Sequence, residues 1–120
     1  MKVGNTFIWH PHGTVKEHLW ILISDPAANE GRCVIVNLTS SSHGKYSFTL
    51  NVGQHPFITK PSDVNFGDAM RTTETELARN VASGAALQRE DMDASIVASI
   101  ITAAKTHPAF PPILRKLLPP

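Results

Sequence analysis

Two apolar runs separated by a short polar connector constrain most strongly how this 120-residue chain can fold. The runs are His18-Leu-Trp-Ile-Leu-Ile-Ser24 and Cys33-Val-Ile-Val-Asn-Leu-Thr-Ser40, and the connector holds Pro, Asn and Gly. Branched and aromatic residues favour strands, and the connector supplies the residues that turns need. The pattern predicts two buried antiparallel strands, each ending in small hydroxyl residues.

Further strand signals surround this pair. Thr6–Trp9 is a short β-rich run, and residues Tyr46–Leu50 alternate apolar and polar side chains with the period of a half-buried strand. Gly and Pro around Phe57 and Ile58 favour a short edge strand or an irregular hairpin there. Ser62–Phe66 predicts one more strand, so that the strands together form a compact antiparallel β-barrel.

Helical signals dominate the last third of the chain. Met92, Ile96, Ile100 and Ala103 recur at helical spacing after the acidic stretch that starts at Glu90, which predicts a helix packed on the barrel. Residues 110–118 predict another turn or two of helix. Residues 69–81 mix helix formers with β-friendly residues, and the boundary stays open. We therefore predict one domain over residues 1–120, mainly β (α+β), with a helical portion from about residue 88.

Composition narrows the classes of function. A net charge of only +1 means that contact with nucleic acid requires a local basic patch. The single cysteine, Cys33, lies inside an apolar run, which favours a buried, inert thiol and a reducing cytoplasm. The N-terminus lacks an apolar signal region, and no apolar run approaches the roughly 18 residues that cross a bilayer. We expect a cytoplasmic protein with no membrane partner.

The sequence lacks the motifs typical of metal sites and of several common enzyme classes. His10, His12 and His18 lie close together, but the chain has neither an H-E-x-x-H helix nor paired C-x-x-C elements, so we predict no metal ion and no cofactor. The chain also lacks the G-x-S-x-G, P-loop and G-x-G-x-x-G motifs. Histidine remains the natural candidate for proton transfer near neutral pH.

His18 is the leading candidate for proton transfer because it lies at the polar end of a buried strand. His55 follows as a second candidate because Pro56 fixes the turn beside it, and Thr39 and Ser40 place hydroxyl groups at the end of the next strand. An ordinary solvated loop histidine and an ordinary turn-forming hydroxyl are the simpler alternatives for these residues. The two histidines and the two hydroxyl residues together predict an enzyme that uses acid–base catalysis.

The order of these motifs resembles the PemK/MazF-like family of toxin endoribonucleases of bacterial toxin–antitoxin systems. His18–Ser24 resembles the family's first apolar strand, and Val34–Ser40 resembles its second apolar strand, which ends in Ile-Thr-Ser. Ser62–Phe66 resembles the family's late strand, and Met70-Arg-Thr resembles its Ile-Arg-Thr. Gly84-Ala-Ala-Leu resembles the Gly-x-Leu that precedes the family's C-terminal helix. The family's Arg-Pro has His18 at the Arg position here, and Thr39 matches the family's Thr.

This resemblance implies an SH3-like barrel that cleaves single-stranded RNA without a metal, with the 2′-hydroxyl as nucleophile and a cyclic phosphate as product. It also implies an antitoxin protein partner and a homodimer. Within this expectation His18 and His55 transfer protons, and Thr39 and Ser40 hold the scissile phosphate. The predicted catalytic residues are therefore His18, Thr39 and His55, and the predicted RNA-binding residues are Ser40, Lys16, Lys45, Lys60 and Arg71, with Lys60 stabilising charge.

A non-catalytic binding module is the alternative from another class. In that interpretation the same barrel docks a protein or peptide through Trp9, Trp20 and Phe57 together with the histidine-rich loop. Turnover of RNA separates the two, because a docking module binds without cleavage.

Overall fold

One antiparallel sheet of six strands organises the part of the chain that the computed structural model describes, residues 1–11 and 17–120. The strands are β1 (Thr6–Trp9), β2 (His18–Leu22), β3 (Arg32–Ser40), β4 (Thr49–Leu50), β5 (Ser62–Thr73) and β6 (Leu87–Arg89), with helices α1 (Glu74–Ser83) and α2 (Ala94–Thr106). Two 3-10 turns cover Pro26–Asn29 and Pro112–Leu117. The strand order is β4-β5-β3-β2-β1-β6.

The two apolar runs form strands β2 and β3 at the centre of this sheet, and both strands are buried, as predicted. Alternate residues of β3 enter different cores: Val34 and Val36 join the larger core beneath α2, whereas Cys33 and Ile35 join a smaller core beneath α1. A strand covered on both faces has no polar face, which explains why β2 and β3 are continuous apolar runs in the sequence. The expected antiparallel pairing of β2 with β3 is confirmed.

β5 is longer than Ser62–Phe66 and pairs with β3 from Ser40↔Ser62 to Arg32↔Thr73. A bulge interrupts the pairing between Ile35 and Asn37. Thr73 then ends the strand and caps α1, because its hydroxyl oxygen accepts the N–H of Glu76 at 3.1 Å. The ambiguous stretch thus contains both a strand end and a helix start.

Three local expectations need correction. The strand predicted over residues Tyr46–Leu50 is reduced to Thr49–Leu50, and turns replace the predicted edge strand or hairpin at Phe57–Ile58. Residues 87–89 form edge strand β6, so the C-terminal helix begins at Ala94 and not at about residue 88. Asp93 sets that start, because its carboxylate accepts the N–H groups of Ser95 and Ile96.

The result is an α+β protein with a curled antiparallel sheet that forms a half-barrel. The predicted packing of the C-terminal helix on the sheet is confirmed, because Val97, Ile100 and Ala104 of α2 lie in the larger core. Within the described ranges, no helix is long and apolar enough to cross a bilayer.

Candidate functional site

A small cleft opens where β2 begins and β3 ends. We call it the histidine cleft; its volume is about 190 Å³, and it is lined by Glu17, His18, Leu38, Thr39, Ser40, Phe57, Lys60 and Ser62. Antiparallel pairing explains the meeting of these residues, because the start of β2 and the start of β5 both lie beside the end of β3. Four predicted site residues, His18, Thr39, Ser40 and Lys60, therefore share one cleft.

The ring of His18 is held in a defined orientation. Its Nδ1 lies 2.9 Å from the carbonyl oxygen of Leu38, and a carbonyl oxygen can only accept, so Nδ1 carries the proton. In the neutral ring this leaves a lone pair on Nε2, and no described residue forms a hydrogen bond to that atom. A histidine fixed through one nitrogen, with the other available, is arranged to accept a proton from a ligand.

The other polar groups of the cleft come from the strand ends and from the segment before β5. Thr39 and Ser40 are exposed, unlike the buried residues that precede them in β3. The hydroxyl of Ser62 donates to the carbonyl oxygen of Lys60 at 3.0 Å, and the N–H of Ser41 donates to the carbonyl oxygen of Pro61 at 3.2 Å. These bonds fix the backbone that carries the exposed Lys60 beside the two hydroxyl groups.

His55 occupies a different environment. It is 3% exposed and does not line the histidine cleft. Its Nε2 lies 2.7 Å from the carbonyl oxygen of Glu90, and its Nδ1 accepts the N–H of Phe57 at 3.1 Å. Both ring nitrogens are therefore engaged by backbone groups, and the imidazole holds Phe57, whose side chain lines the cleft.

Two of the remaining predicted cations, Lys45 and Arg71, lie outside the histidine cleft. Lys45 lines a neighbouring cleft. Arg71 pairs with Val34 on the far part of β3, which places it roughly 30 Å along β5 from Ser62. Lys16 lies outside the described residues, as does His12.

The neighbouring cleft, which we call the tyrosine cleft, is larger, at about 390 Å³. Thr39 lines both clefts. The other residues that matter in it were missed by sequence reasoning: Tyr46, Asp63, Asn65 and His107. No local pattern links them, because His107 contacts Tyr46 across 61 positions of sequence.

Asp63 organises the loop between β3 and β4. Its carboxylate accepts the Ser42 N–H at 2.9 Å, the Ser47 hydroxyl at 3.0 Å and the Thr49 hydroxyl at 2.7 Å. Burial raises the pKa of Asp63, but these hydrogen bonds outweigh burial and lower the pKa to about 2. The group is therefore a fixed negative charge at neutral pH.

Two other sequence expectations concern Cys33 and metal binding. Cys33 is buried as predicted, and burial raises the pKa of its thiol to about 11, which suppresses the nucleophilic thiolate. Among residues 1–11 and 17–120, no three His, Cys, Asp or Glu side chains come together as a metal site.

The aromatic docking surface of the alternative interpretation needs correction. Trp9 is 5% and Trp20 is 2% exposed, and the indole N–H of Trp20 donates to the carbonyl oxygen of Trp9 at 3.0 Å. Both rings belong to the smaller core. Phe57, the third aromatic residue in that hypothesis, lines the histidine cleft.

Comparison with known proteins adds no assignment to this geometry: no family model, curated protein or solved structure matches the chain.

Proposed function

We propose that this protein is a metal-independent endoribonuclease that cleaves single-stranded RNA in the histidine cleft. The observation that carries the proposal is the placement of His18 Nε2, without a partner among the described residues, in one cleft with Lys60 and the hydroxyl groups of Thr39 and Ser40. This set combines a proton acceptor, a cation and neutral hydrogen-bond donors. Groups of these three kinds promote cleavage of a phosphodiester by transesterification.

The proposed reaction is an internal transesterification. Nε2 of His18 accepts the proton of the ribose 2′-hydroxyl, and the 2′-oxygen forms a bond to phosphorus. The bond from phosphorus to the 5′-oxygen breaks, and the leaving oxygen takes a proton from water in the open cleft. The products are a 2′,3′-cyclic phosphate and a 5′-hydroxyl end, and the imidazolium returns its proton to solvent.

The other residues of the cleft stabilise the charge and position the substrate. Lys60 supplies a positive charge beside the phosphate, whose negative charge grows in the transition state. Thr39 and Ser40 donate hydrogen bonds to the non-bridging oxygens. Phe57 offers an aromatic face on which an unpaired base stacks, a contact that single-stranded nucleic acids commonly make with proteins.

His55 is best described as a positioning residue in this proposal. Its two ring nitrogens already bond to Glu90 and Phe57, so it keeps Phe57 at the wall of the cleft. Proton transfer by His55, as the sequence predicted, requires these bonds to break. Phosphate contacts by Lys45 and Arg71 remain predictions outside this cleft. A phosphate contact by Lys16, which lies outside the described residues, also remains a prediction.

The biological setting is proposed from the resemblance to the PemK/MazF-like family. In that setting the half-barrel is a variant of the SH3-like barrel, and the protein is a cytoplasmic toxin. It acts as a homodimer, and an antitoxin protein restrains it. Toxicity on expression in a bacterial host, lost in the His18→Ala variant, is the expected cellular result.

The direct test is incubation of the purified protein with a mixed-sequence RNA in the presence of a chelator. Cleavage by the wild type and by His43→Ala, but not by His18→Ala, supports the proposal, because His43 is exposed and lines neither cleft. Failure of the folded wild type to cleave contradicts it and favours a binding module centred on Phe57.

A further inference from the structure

The tyrosine cleft adjoins the histidine cleft and has the size of a ligand site. Its volume of about 390 Å³ lies in the range of small-molecule pockets, roughly 300–1,000 Å³. Thr39 forms part of both clefts, and Thr39 pairs with Asp63 across the sheet. Thr39 therefore joins the two clefts, so that a strand of RNA lying across Thr39 would pass from one cleft to the other.

An aromatic wall is fixed on one side of this cleft. Tyr46 is 57% exposed, and its carbonyl oxygen lies 3.1 Å from Nε2 of His107. The His107 ring packs against the Phe66 ring at an interplanar angle of 31°, with the ring centroids 4.6 Å apart. The ammonium group of Lys45 lies 5.4 Å from the centre of the Tyr46 ring. An exposed aromatic ring beside a cation is typical of surfaces on which bases stack.

The polar groups of the cleft suit a base better than a phosphate. Asp63 is held as an anion by three hydrogen-bonding neighbours and repels phosphate oxygens. The side-chain amide of Asn65 lines the same cleft and forms no hydrogen bond within residues 1–11 and 17–120. An Asn amide offers one donor and one acceptor side by side, which matches the edge of a base.

We propose that the tyrosine cleft binds the base next to the scissile nucleotide, stacked on Tyr46 and paired with the amide of Asn65. The preferred bases are those with an exocyclic amino group beside a ring nitrogen, as in adenine and cytosine. The carboxylate of Asp63 attracts the amino group and repels the carbonyl oxygens of uracil. This inference rests on the proposed function, because it assigns a second subsite to the same RNA.

The test measures binding without cleavage. Fluorescein-labelled hexamers of adenosine, cytidine and uridine, all with 2′-O-methyl groups that block the nucleophile, are titrated with the folded full-length protein and followed by fluorescence anisotropy. We expect the adenosine and cytidine hexamers to bind about tenfold more tightly than the uridine hexamer, the scale of one well-formed amide–base pair.

Variants separate the stacking role of Tyr46 from the base-pairing role of Asn65. Tyr46→Ala weakens binding of all three hexamers about tenfold through lost stacking, whereas Tyr46→Phe retains it. Asn65→Leu removes the difference between the hexamers. Lys60→Ala is the control, because it weakens all three without changing their order. If circular dichroism shows that Asn65→Leu does not fold, Asn65→Ser carries the same expectation.

Two results overturn the inference in distinguishable ways. Equal binding of every hexamer by the wild type, Tyr46→Ala and Asn65→Leu removes the subsite while RNA cleavage in the histidine cleft stands. Absence of binding for all hexamers, together with absence of cleavage of unmodified RNA, removes both the subsite and the proposed function.

Discussion

The hydrogen bonds around Asp63 make the stability of this fold depend on pH in a defined way. The pKa of the carboxyl group is about 2 in the folded protein, compared with an ordinary value of 3.8. Since the folded value is lowered, the group stabilises the fold above pH 3.8. This contribution is lost as the pH falls through the folded pKa, so it disappears mainly between about pH 4 and pH 2.

The magnitude follows from that difference. At about 1.4 kcal/mol per pKa unit, the lowering from 3.8 to about 2 corresponds to roughly 2.5 kcal/mol at most. The Asp63 side chain lines the tyrosine cleft, which opens to solvent, and solvent weakens such interactions, so we expect about 1–2 kcal/mol. Asp63→Asn should therefore lower the free energy of unfolding by about 1–2 kcal/mol at pH 7, and by about half as much at pH 3.

Urea denaturation at both pH values measures this difference, with the fluorescence of the buried Trp9 and Trp20 as the signal. Asp68→Asn is the matched control, because Asp68 is exposed on the same strand; it should change stability by less than about 0.5 kcal/mol. A loss in Asp63→Asn that is equal at pH 7 and pH 3, or no loss at pH 7, refutes the reasoning.

Three further outcomes test the packing. Thr73→Ala should destabilise the protein by about 1 kcal/mol through the lost cap of α1 in thermal denaturation, and Thr73→Ser should retain the cap. Ile100→Ala should cost about 2–5 kcal/mol of unfolding free energy in urea, because Ile100 is fully buried, whereas Ile113→Ala, at a residue 72% exposed, should cost less than about 0.5 kcal/mol. Cys33 should react with iodoacetamide at pH 8 only in denaturant, because burial raises its pKa to about 11; rapid labelling of the native protein contradicts this.

The sequence predicted the centre of the fold well and its margins poorly. Residues of β2 and β3 are buried on both faces, so their apolar runs signal strands directly. Helix α1 escaped prediction because Thr73 ends a strand and caps a helix at once, and the neighbouring threonines favour strands. Strand β6 escaped because it has only three residues, of which Leu87 and Gln88 are exposed.

The candidate site also contains some residues that the sequence predicted and others that it misplaced or missed. His18, Thr39, Ser40 and Lys60 share a cleft because they lie next to strand ends that antiparallel pairing brings together. His55 was placed with them because Pro56 fixes the turn beside it. Its burial against Glu90 depends on a contact between residues distant in sequence, which the local pattern does not show. The tyrosine cleft joins Asp63 to a serine-rich loop and to the residues after α2, which no local pattern reveals.

The chemistry of the RNA ends tests the central claim most directly. Mass spectrometry of RNA treated with the protein in the presence of a chelator should find 2′,3′-cyclic phosphate and 5′-hydroxyl ends from the wild type, and neither from His18→Ala. Products with 3′-hydroxyl and 5′-phosphate ends, or equal yields of cyclic phosphate from both proteins, would contradict proton abstraction from the 2′-hydroxyl by His18.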